Sequence, residues 1–318
     1  MRGLTERGLG AAVGRKGAGP VVLGMSLAAG FAVALAAGGE RAAAQQTTAA
    51  QTVPANIVLA PHRAVYEFTL DQTRGGTGVT DLTGRMVYEL TGSTCDGYTQ
   101  NMRFVTRMST QDGNATVSDM RSSSWEDGIA KLFRFTSSQY KDAKLSESAQ
   151  GDAARSGVGG EVIVDMTKPA KKEIKVKRDV YFPIQHSIAL LAAAKKGDTV
   201  FQADLYDGSE KGEKYYATTA YIGRPQPKGY NKSLPAVAAA SQAAAAKLDD
   251  MMSWPVSISY FDPAKEKLDG IPSYELAFLY FENGVSRRLF IDYGDFAMRG
   301  TLKEVSFLEP SKCDPKKP

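Results

Sequence analysis

Cysteine and histidine, the side chains most often used for nucleophilic and metal chemistry, are scarce in this sequence. The 318 residues contain two of each: Cys95, Cys313, His62 and His186. No C-x-x-C pair occurs, and two histidines are too few for an ordinary zinc site of thiolates and imidazoles. Serine is plentiful, but neither a G-x-S-x-G motif nor triad spacing is present. We therefore predict no catalytic residue, no metal site and no cofactor.

The two histidines and one glycine cluster have structural interpretations. His186 lies at the start of a predicted helix, where an imidazole can hydrogen-bond backbone, and no acid or nucleophile is placed beside it by spacing. His62 is interpreted as a loop residue before the first strand. Residues 75–78 form a turn-rich loop without the strand-to-helix setting that phosphate binding needs.

The N-terminal 44 residues have the composition of a secretory signal peptide. A basic region precedes an apolar run from Val21 to Ala37, and three small residues follow that end at Ala44. We predict that residues 1–44 are the leader and that cleavage falls between Ala44 and Gln45. A membrane anchor is the alternative, because the run is close to the shortest helix that spans a bilayer. Its alanines and glycines make the run only weakly apolar.

The charge balance argues against nucleic acid as a partner. The whole chain has 39 basic and 35 acidic residues. Five of the basic and two of the acidic residues lie in the leader, which leaves 34 and 33 and a nearly neutral protein after export. A neutral domain has no net field that attracts a polyanion. The sequence also predicts no membrane span after the leader.

Export determines how the two cysteines are interpreted, because the compartment outside the cytoplasm is oxidising. Two thiols in such a compartment are expected to be joined, and we predict a disulfide between Cys95 and Cys313. A reactive thiol or a metal ligand is the alternative, and the neighbours that either would need are missing. A bridge across so long a loop is worth on the order of 5 kcal/mol in the chain-entropy model.

The elements that must position these residues are mainly β-strands. Ala64, Tyr66, Phe68 and Leu70 alternate with polar residues, which is typical of a half-buried strand. Similar segments recur along the chain and are separated by turn signals such as Asp-Gly and Asn-Gly, which favour hairpins because both residues tolerate positive φ. We predict an antiparallel meander of about 13 to 14 strands.

Four segments depart from strand periodicity. Residues 183–197 predict a helix, with proline near its start, two lysines in its last turn and glycine as its stop. Residues 235–252 predict a second helix favoured by alanine, and we interpret 236–246 as a surface connector. Residues 45–56 and 142–159 are predicted to be a flexible tail and a flexible loop, from their Gly, Ser, Ala and Gln content.

Two further patterns bear on architecture. The segment Tyr274–Phe281 is apolar on both faces, so the strand needs cover on both sides. An open, barrel-like curved sheet wrapped around one helix provides that cover, and residues 57–318 are predicted to be a single domain. The basic run 168–178 alternates in charge, which favours a solvated face that protects a sheet edge. Contact with lipid headgroups or anionic glycans is its alternative.

An ordered series of motifs resembles the EipB family of alphaproteobacterial periplasmic envelope-integrity proteins. The motifs are APHRAVYEFTL, GVTDLTGRMVYELTGSTCDGYTQNMRF, FPIQHSIALL, WPVSISYF and the C-terminal cysteine. The resemblance covers about Ala60 to Cys313. It implies a broken β-spiral of antiparallel strands around a helix, similar in shape to periplasmic lipoprotein carriers, and it implies that Cys95 pairs with Cys313.

The resemblance implies a periplasmic protein that maintains the cell envelope, without assigning a molecular activity. Together with the missing catalytic constellation, it favours a non-enzymatic protein that binds a lipid, a lipoprotein, or a peptide or protein partner on a concave β surface. An envelope hydrolase acting on lipid or glycan is one alternative, because carboxylates from separate strands can meet in the fold. A carrier that moves acyl chains between membranes is another.

Overall fold

Alternation of apolar and polar residues produces long strands in the computed structural model. The structure describes residues 57–74, 78–157, 160–176, 179–264 and 270–313. The predicted signal peptide, its cleavage site at Ala44 and Gln45, and the predicted tail lie outside these ranges. In β1 the side chains of Ala64, Tyr66 and Phe68 are buried, as the alternation predicts.

The described ranges contain fifteen strands and two α-helices, joined by turns and short 3₁₀ segments. The strands are β1 His62–Thr73, β2 Val79–Ser93, β3 Gly97–Thr110, β4 Ala115–Glu126, β5 Leu132–Lys141, β6 Lys144–Arg155, β7 Val162–Lys168, β8 Lys172–Val176, β9 Val180–Tyr181, β10 Val200–Leu205, β11 Tyr216–Ile222, β12 Ser253–Phe261, β13 Tyr274–Phe281, β14 Ser286–Asp292 and β15 Phe296–Phe307. The helices are α1 Pro183–Lys196 and α2 Gln242–Ala246. The mainly β fold class is confirmed.

All of these strands belong to one sheet, in the order β8-β7-β6-β5-β4-β3-β2-β1-β15-β14-β13-β12-β11-β10-β9. Neighbours are antiparallel, except that β9 and β10 run parallel. The first strand pairs with the last, so both halves of the chain meet at the middle of the sheet. Arg155 of β6 donates to the carbonyl oxygen of Val180 in β9 at 2.6 Å. The sheet therefore curls until regions near its two ends touch, which makes it barrel-like.

Helix α1 lies against the inner side of this sheet. Its first residue is proline, which is tolerated where the backbone N–H has no helical partner. Gly197 ends the helix with a left-handed φ of 92°, a conformation that glycine adopts without steric cost. Leu191 is fully buried in one cluster with Ala220, Ile258 and Tyr280 from the sheet. The predicted helix and its position inside the curved sheet are both confirmed.

Strand β13 is covered on both faces toward its C-terminal end, as its sequence predicts. Leu276 and Tyr280 pack in the cluster that contains α1. Leu279 and Phe281 pack in a separate cluster with Leu248, which comes from the segment before β12. The second cover is therefore a loop-like segment rather than a second sheet.

The segment 235–252 differs from the predicted continuous helix on the surface. One 3₁₀ turn precedes the five-residue α2 and another follows it. Its Ser241 side chain accepts the Val305 N–H at 3.0 Å, and Ala245 and Leu248 are buried. β15 pairs with β14 only through its first half, so this segment satisfies part of the remaining strand. Tertiary hydrogen bonding and burial outweigh the helix propensity of alanine here.

The predicted flexible loop at 142–159 is wrong over most of its length, because β6 occupies twelve of these residues. Ala149, Gly151 and Ala153 point inward, where the large side chains of Phe135 and Met166 need space. Small residues in this strand reflect close packing rather than flexibility. The predicted loop position of His62 is also wrong, since this buried residue begins β1.

The basic run 168–178 contributes β8, which ends the sheet on one side. Lys172, Glu173 and Lys175 are exposed along this edge, while Lys177 and Arg178 lie outside the described residues. Charged side chains on an edge strand hinder pairing with another chain. Contact of this run with lipid headgroups or anionic glycans stays an untested alternative. Within the described ranges, neither helix has the length and apolarity to cross a bilayer.

Candidate functional site

The cysteines and histidines identified in the sequence lie in structural positions. Cys95 and Cys313 are bonded in the structure, with Cα atoms 5.6 Å apart. His186 Nε2 lies 3.2 Å from the Thr218 hydroxyl, and burial lowers the pKa of His186 to about 4. His62 Nδ1 lies 2.7 Å from the carbonyl oxygen of Ala60. Among the residues that the structure describes, no cluster of three His, Cys, Asp or Glu side chains could hold a metal.

A buried carboxylate that sequence reasoning missed lies at the start of α1. Glu126, the last residue of β4, accepts the backbone N–H groups of Ile184 at 2.8 Å and Gln185 at 2.9 Å. Burial raises the pKa of Glu126 to about 8, although these two hydrogen bonds act in the opposite direction. The carboxyl group satisfies N–H donors that a helix leaves unpaired, so its role is to hold α1 against the sheet.

A groove of about 590 Å³ opens on the other face of the sheet. One row of cross-strand partners forms its base, and each member pairs with the next across β11 to β15: Tyr221, Ser257, Ala277, Phe290 and Arg299. The small side chains at the middle of the row lie between two aromatic rings. A trough therefore forms, with a floor of small side chains on β12 and β13 and an aromatic ring on either side.

Register shows that the groove faces away from α1. Ala220, Ile258 and Leu276 form the adjacent row and pack in the cluster that contains α1. Side chains of consecutive residues in a strand point to opposite faces, so Ser257 and Ala277 point outward. We predicted binding on the concave side, whereas α1 packs against that side of β11 to β13 and this groove lies on the outer side.

Two arginines in different states line the groove. Arg299 forms an ion pair with Asp71 at 2.8 Å, and its guanidinium lies 5.6 Å from the centre of the Phe290 ring. Arg288, two residues before Phe290 on β14, donates to the Tyr230 hydroxyl at 3.3 Å. The described residues place no carboxylate within ion-pair distance of Arg288. The groove thus has a floor of small side chains and a positive charge at Arg288.

The groove residues left little trace in the sequence. Ser257 and Ala277 look like ordinary outward positions of amphipathic strands, and only the strand register places them side by side. The one available signal is that small residues occupy strand positions whose neighbours in sequence are apolar. That signal predicts a groove only when the order and register of the neighbouring strands are known.

Comparison with known proteins gives consistent results. Residues 54–309 match the model of a family described as EipB-like. The chain is 37% identical over 256 residues to the cell envelope integrity protein EipB of Brucella abortus strain 2308, covering 80% of this chain and 87% of the relative. A crystal structure of a beta-barrel-like protein of unknown function from Brucella abortus superposes with a TM-score of 0.70 at 36% identity, covering 80% of this chain and all of that one.

Proposed function

Because this chain belongs to the EipB-like family, we propose that it maintains the integrity of the cell envelope as a binding protein of the periplasm. The partner is a component of the envelope: a lipid, a lipoprotein or a periplasmic peptide. The Brucella relative is named a cell envelope integrity protein, which supports the envelope role. The signal-peptide pattern of residues 1–44 supports export.

The outer groove is the observation that carries a binding role. Binding sites for small molecules are concave, mostly apolar and equipped with a few polar groups that fix orientation. The groove has this composition, since Ala277, Phe290 and Arg288 are among the residues that line it. Its volume lies within the usual range for such sites.

A hydrolase acting on lipid or glycan is less well supported. Among the described residues that line the groove, Asp71 supplies the carboxylate, and it is ion-paired with Arg299. General acid–base chemistry needs a group placed to exchange a proton with the substrate. An acyl-chain carrier is compatible with the groove as a binding site, and it would differ in releasing its ligand at a second membrane.

Deletion of the gene tests the proposal. We expect the deletion strain to be more sensitive to detergents and to antibiotics that act on the cell wall, and we expect the intact gene to restore resistance. Minimum inhibitory concentrations measure both effects, and an antibiotic with a cytoplasmic target is the control. A deletion strain with the sensitivity of its parent would contradict the envelope role.

A further inference from the structure

We propose that the outer groove binds an anionic phospholipid-like amphiphile, with one acyl chain in the trough and its phosphate held by Arg288. This inference rests on the proposed binding function and names the ligand class. The acyl chain is assigned to the floor of small side chains, and the phosphate is assigned to Arg288.

The backbone at Arg288 is the first observation behind this assignment. Ala277 pairs with Phe290 and Leu279 pairs with Arg287, so β14 carries two residues where β13 carries one. Arg288 is one of the two and has a φ of 56°, in the left-handed region that favours glycine. A bulge of this kind turns a side chain in a new direction. An arginine in a strained position in the lining of a groove indicates a use for its guanidinium.

The ion pairs of the two arginines favour Arg288 as the phosphate site. Arg299 already has Asp71 as its partner, so an anion there would meet a neutralised pair. Arg288 has the Tyr230 hydroxyl as its polar contact, and both groups can donate to phosphate oxygen. Guanidinium groups match the geometry of phosphate because they donate two parallel hydrogen bonds.

The floor suits an acyl chain better than a peptide. From Tyr221 to Phe290, which lies on the same strand as Arg288, the row crosses four strands and spans roughly 14 Å, from a spacing of about 4.8 Å between strands. The backbone groups along this floor are used in the sheet ladders, so they are not free to pair with a peptide. A peptide would bury N–H and C=O groups with few partners, which is unfavourable. An acyl chain has no such groups.

Binding of dodecyl phosphate to the purified protein tests this inference. We expect the protein to bind dodecyl phosphate about tenfold more tightly than dodecanol, because loss of a charge-assisted hydrogen bond has an effect of that order. Inorganic phosphate alone should bind far more weakly than dodecyl phosphate, since it leaves the trough empty. Isothermal titration calorimetry measures all three affinities.

Two variants separate the roles of headgroup and chain. Arg288→Gly should bind dodecyl phosphate about tenfold more weakly, and its melting temperature should not fall, because glycine relieves the strained φ. The matched control is Lys211→Gly, which removes one positive charge at another left-handed position outside the groove lining.

Ala277→Phe should fill the trough and abolish binding, whereas Ala115→Phe on an exposed position should not.

Four results would overturn the inference: no binding of dodecyl phosphate by the parent protein, unchanged affinity in Arg288→Gly, unchanged affinity in Ala277→Phe, or tighter binding of an extended anionic peptide than of dodecyl phosphate. Each of these results leaves the deletion phenotype untouched, so the ligand class can fail while the envelope role stands. An unchanged deletion phenotype would remove the envelope role instead.

Discussion

Single ionisable residues lie inside this fold where water is excluded, and Glu126 is the clearest case. Its two oxygens accept N–H groups from the first turn of α1, while the surrounding side chains exclude water. Burial disfavours the ionised carboxylate, and this effect outweighs the hydrogen bonds and the nearby Arg155. The same residue therefore fixes the helix and makes its attachment dependent on pH.

The pH dependence of unfolding tests the state of Glu126. Its folded-state pKa of about 8 exceeds the ordinary value of 4.5, so between these values the folded protein keeps a proton that the unfolded chain has lost. The free energy of unfolding should therefore decrease as pH rises across this range. Glu126→Gln cannot titrate and should lose less stability over the same range, as measured by urea denaturation at both ends.

The matched control for this comparison is Glu309→Gln, on an exposed residue near the C-terminus. Both chains keep His62 and His186, so the difference between variant and parent isolates Glu126. Identical pH dependence in Glu126→Gln and the parent would show that the carboxyl group is not held in its neutral form.

At the scale of elements, β6 shows how small residues create a packed strand. Phe135 and Met166 extend from the neighbouring strands over Gly151, and a Cβ there would lie 2.9 Å from the Met166 sulfur and 3.0 Å from a Phe135 ring carbon. Both distances are shorter than van der Waals contact. The strand therefore depends on the absence of a side chain at this position.

A valine at Gly151 should destabilise the protein by about 1 to 3 kcal/mol, the usual effect of overfilling a packed core. Ala154→Val is the matched control, because Ala154 lies on the exposed face of the same strand. Valine should be neutral or slightly favourable there, since β-branched residues suit strands. Urea denaturation gives both values. Equal stability of the two variants would contradict the packed interpretation of β6.

At the scale of the whole molecule, the disulfide connects distant parts of one sheet. Cys95 lies in the turn between β2 and β3, and Cys313 follows β15. β1 separates these elements in the sheet, and the Ser311 N–H donates to the Gly92 carbonyl oxygen at 3.2 Å beside the bridge. The bridge therefore fastens the C-terminal tail across the place where the two halves of the chain meet.

Replacement of Cys313 by Ser should lower the free energy of unfolding by on the order of 5 kcal/mol, because the bridge closes a loop of 218 residues in the unfolded chain. Urea denaturation under oxidising conditions measures the change. Ser311→Ala keeps the bridge and serves as the control, and reductant added to the parent should reproduce the cysteine variant. Equal unfolding midpoints for Cys313→Ser and the parent would refute a stabilising bridge.

Local sequence patterns were sufficient to predict the strand-rich class, helix α1 with its Gly197 stop, and the burial of both faces of β13 toward its C-terminal end. These features follow from local periodicity and from glycine's tolerance of positive φ. Both signals can be recognised within a short segment of the sequence. The single pair of cysteines likewise left one possible bridge within the chain. Local composition led to a wrong prediction for β6, because its small residues are typical of a loop but are required here by close packing.

Tertiary structure alone decided the position of Glu126, the role of the segment 235–252 and the outer groove. Each depends on residues far apart in the chain: Glu126 meets α1 from β4, Ser241 meets Val305, and the groove joins five strands. Hydrogen-bond register and burial place such groups together. A local pattern of polarity shows which face of a strand is buried, but it does not show which residues of a distant segment lie beside that strand. The outward face of a single strand shows no trough. The trough forms only when small side chains of adjacent strands lie side by side.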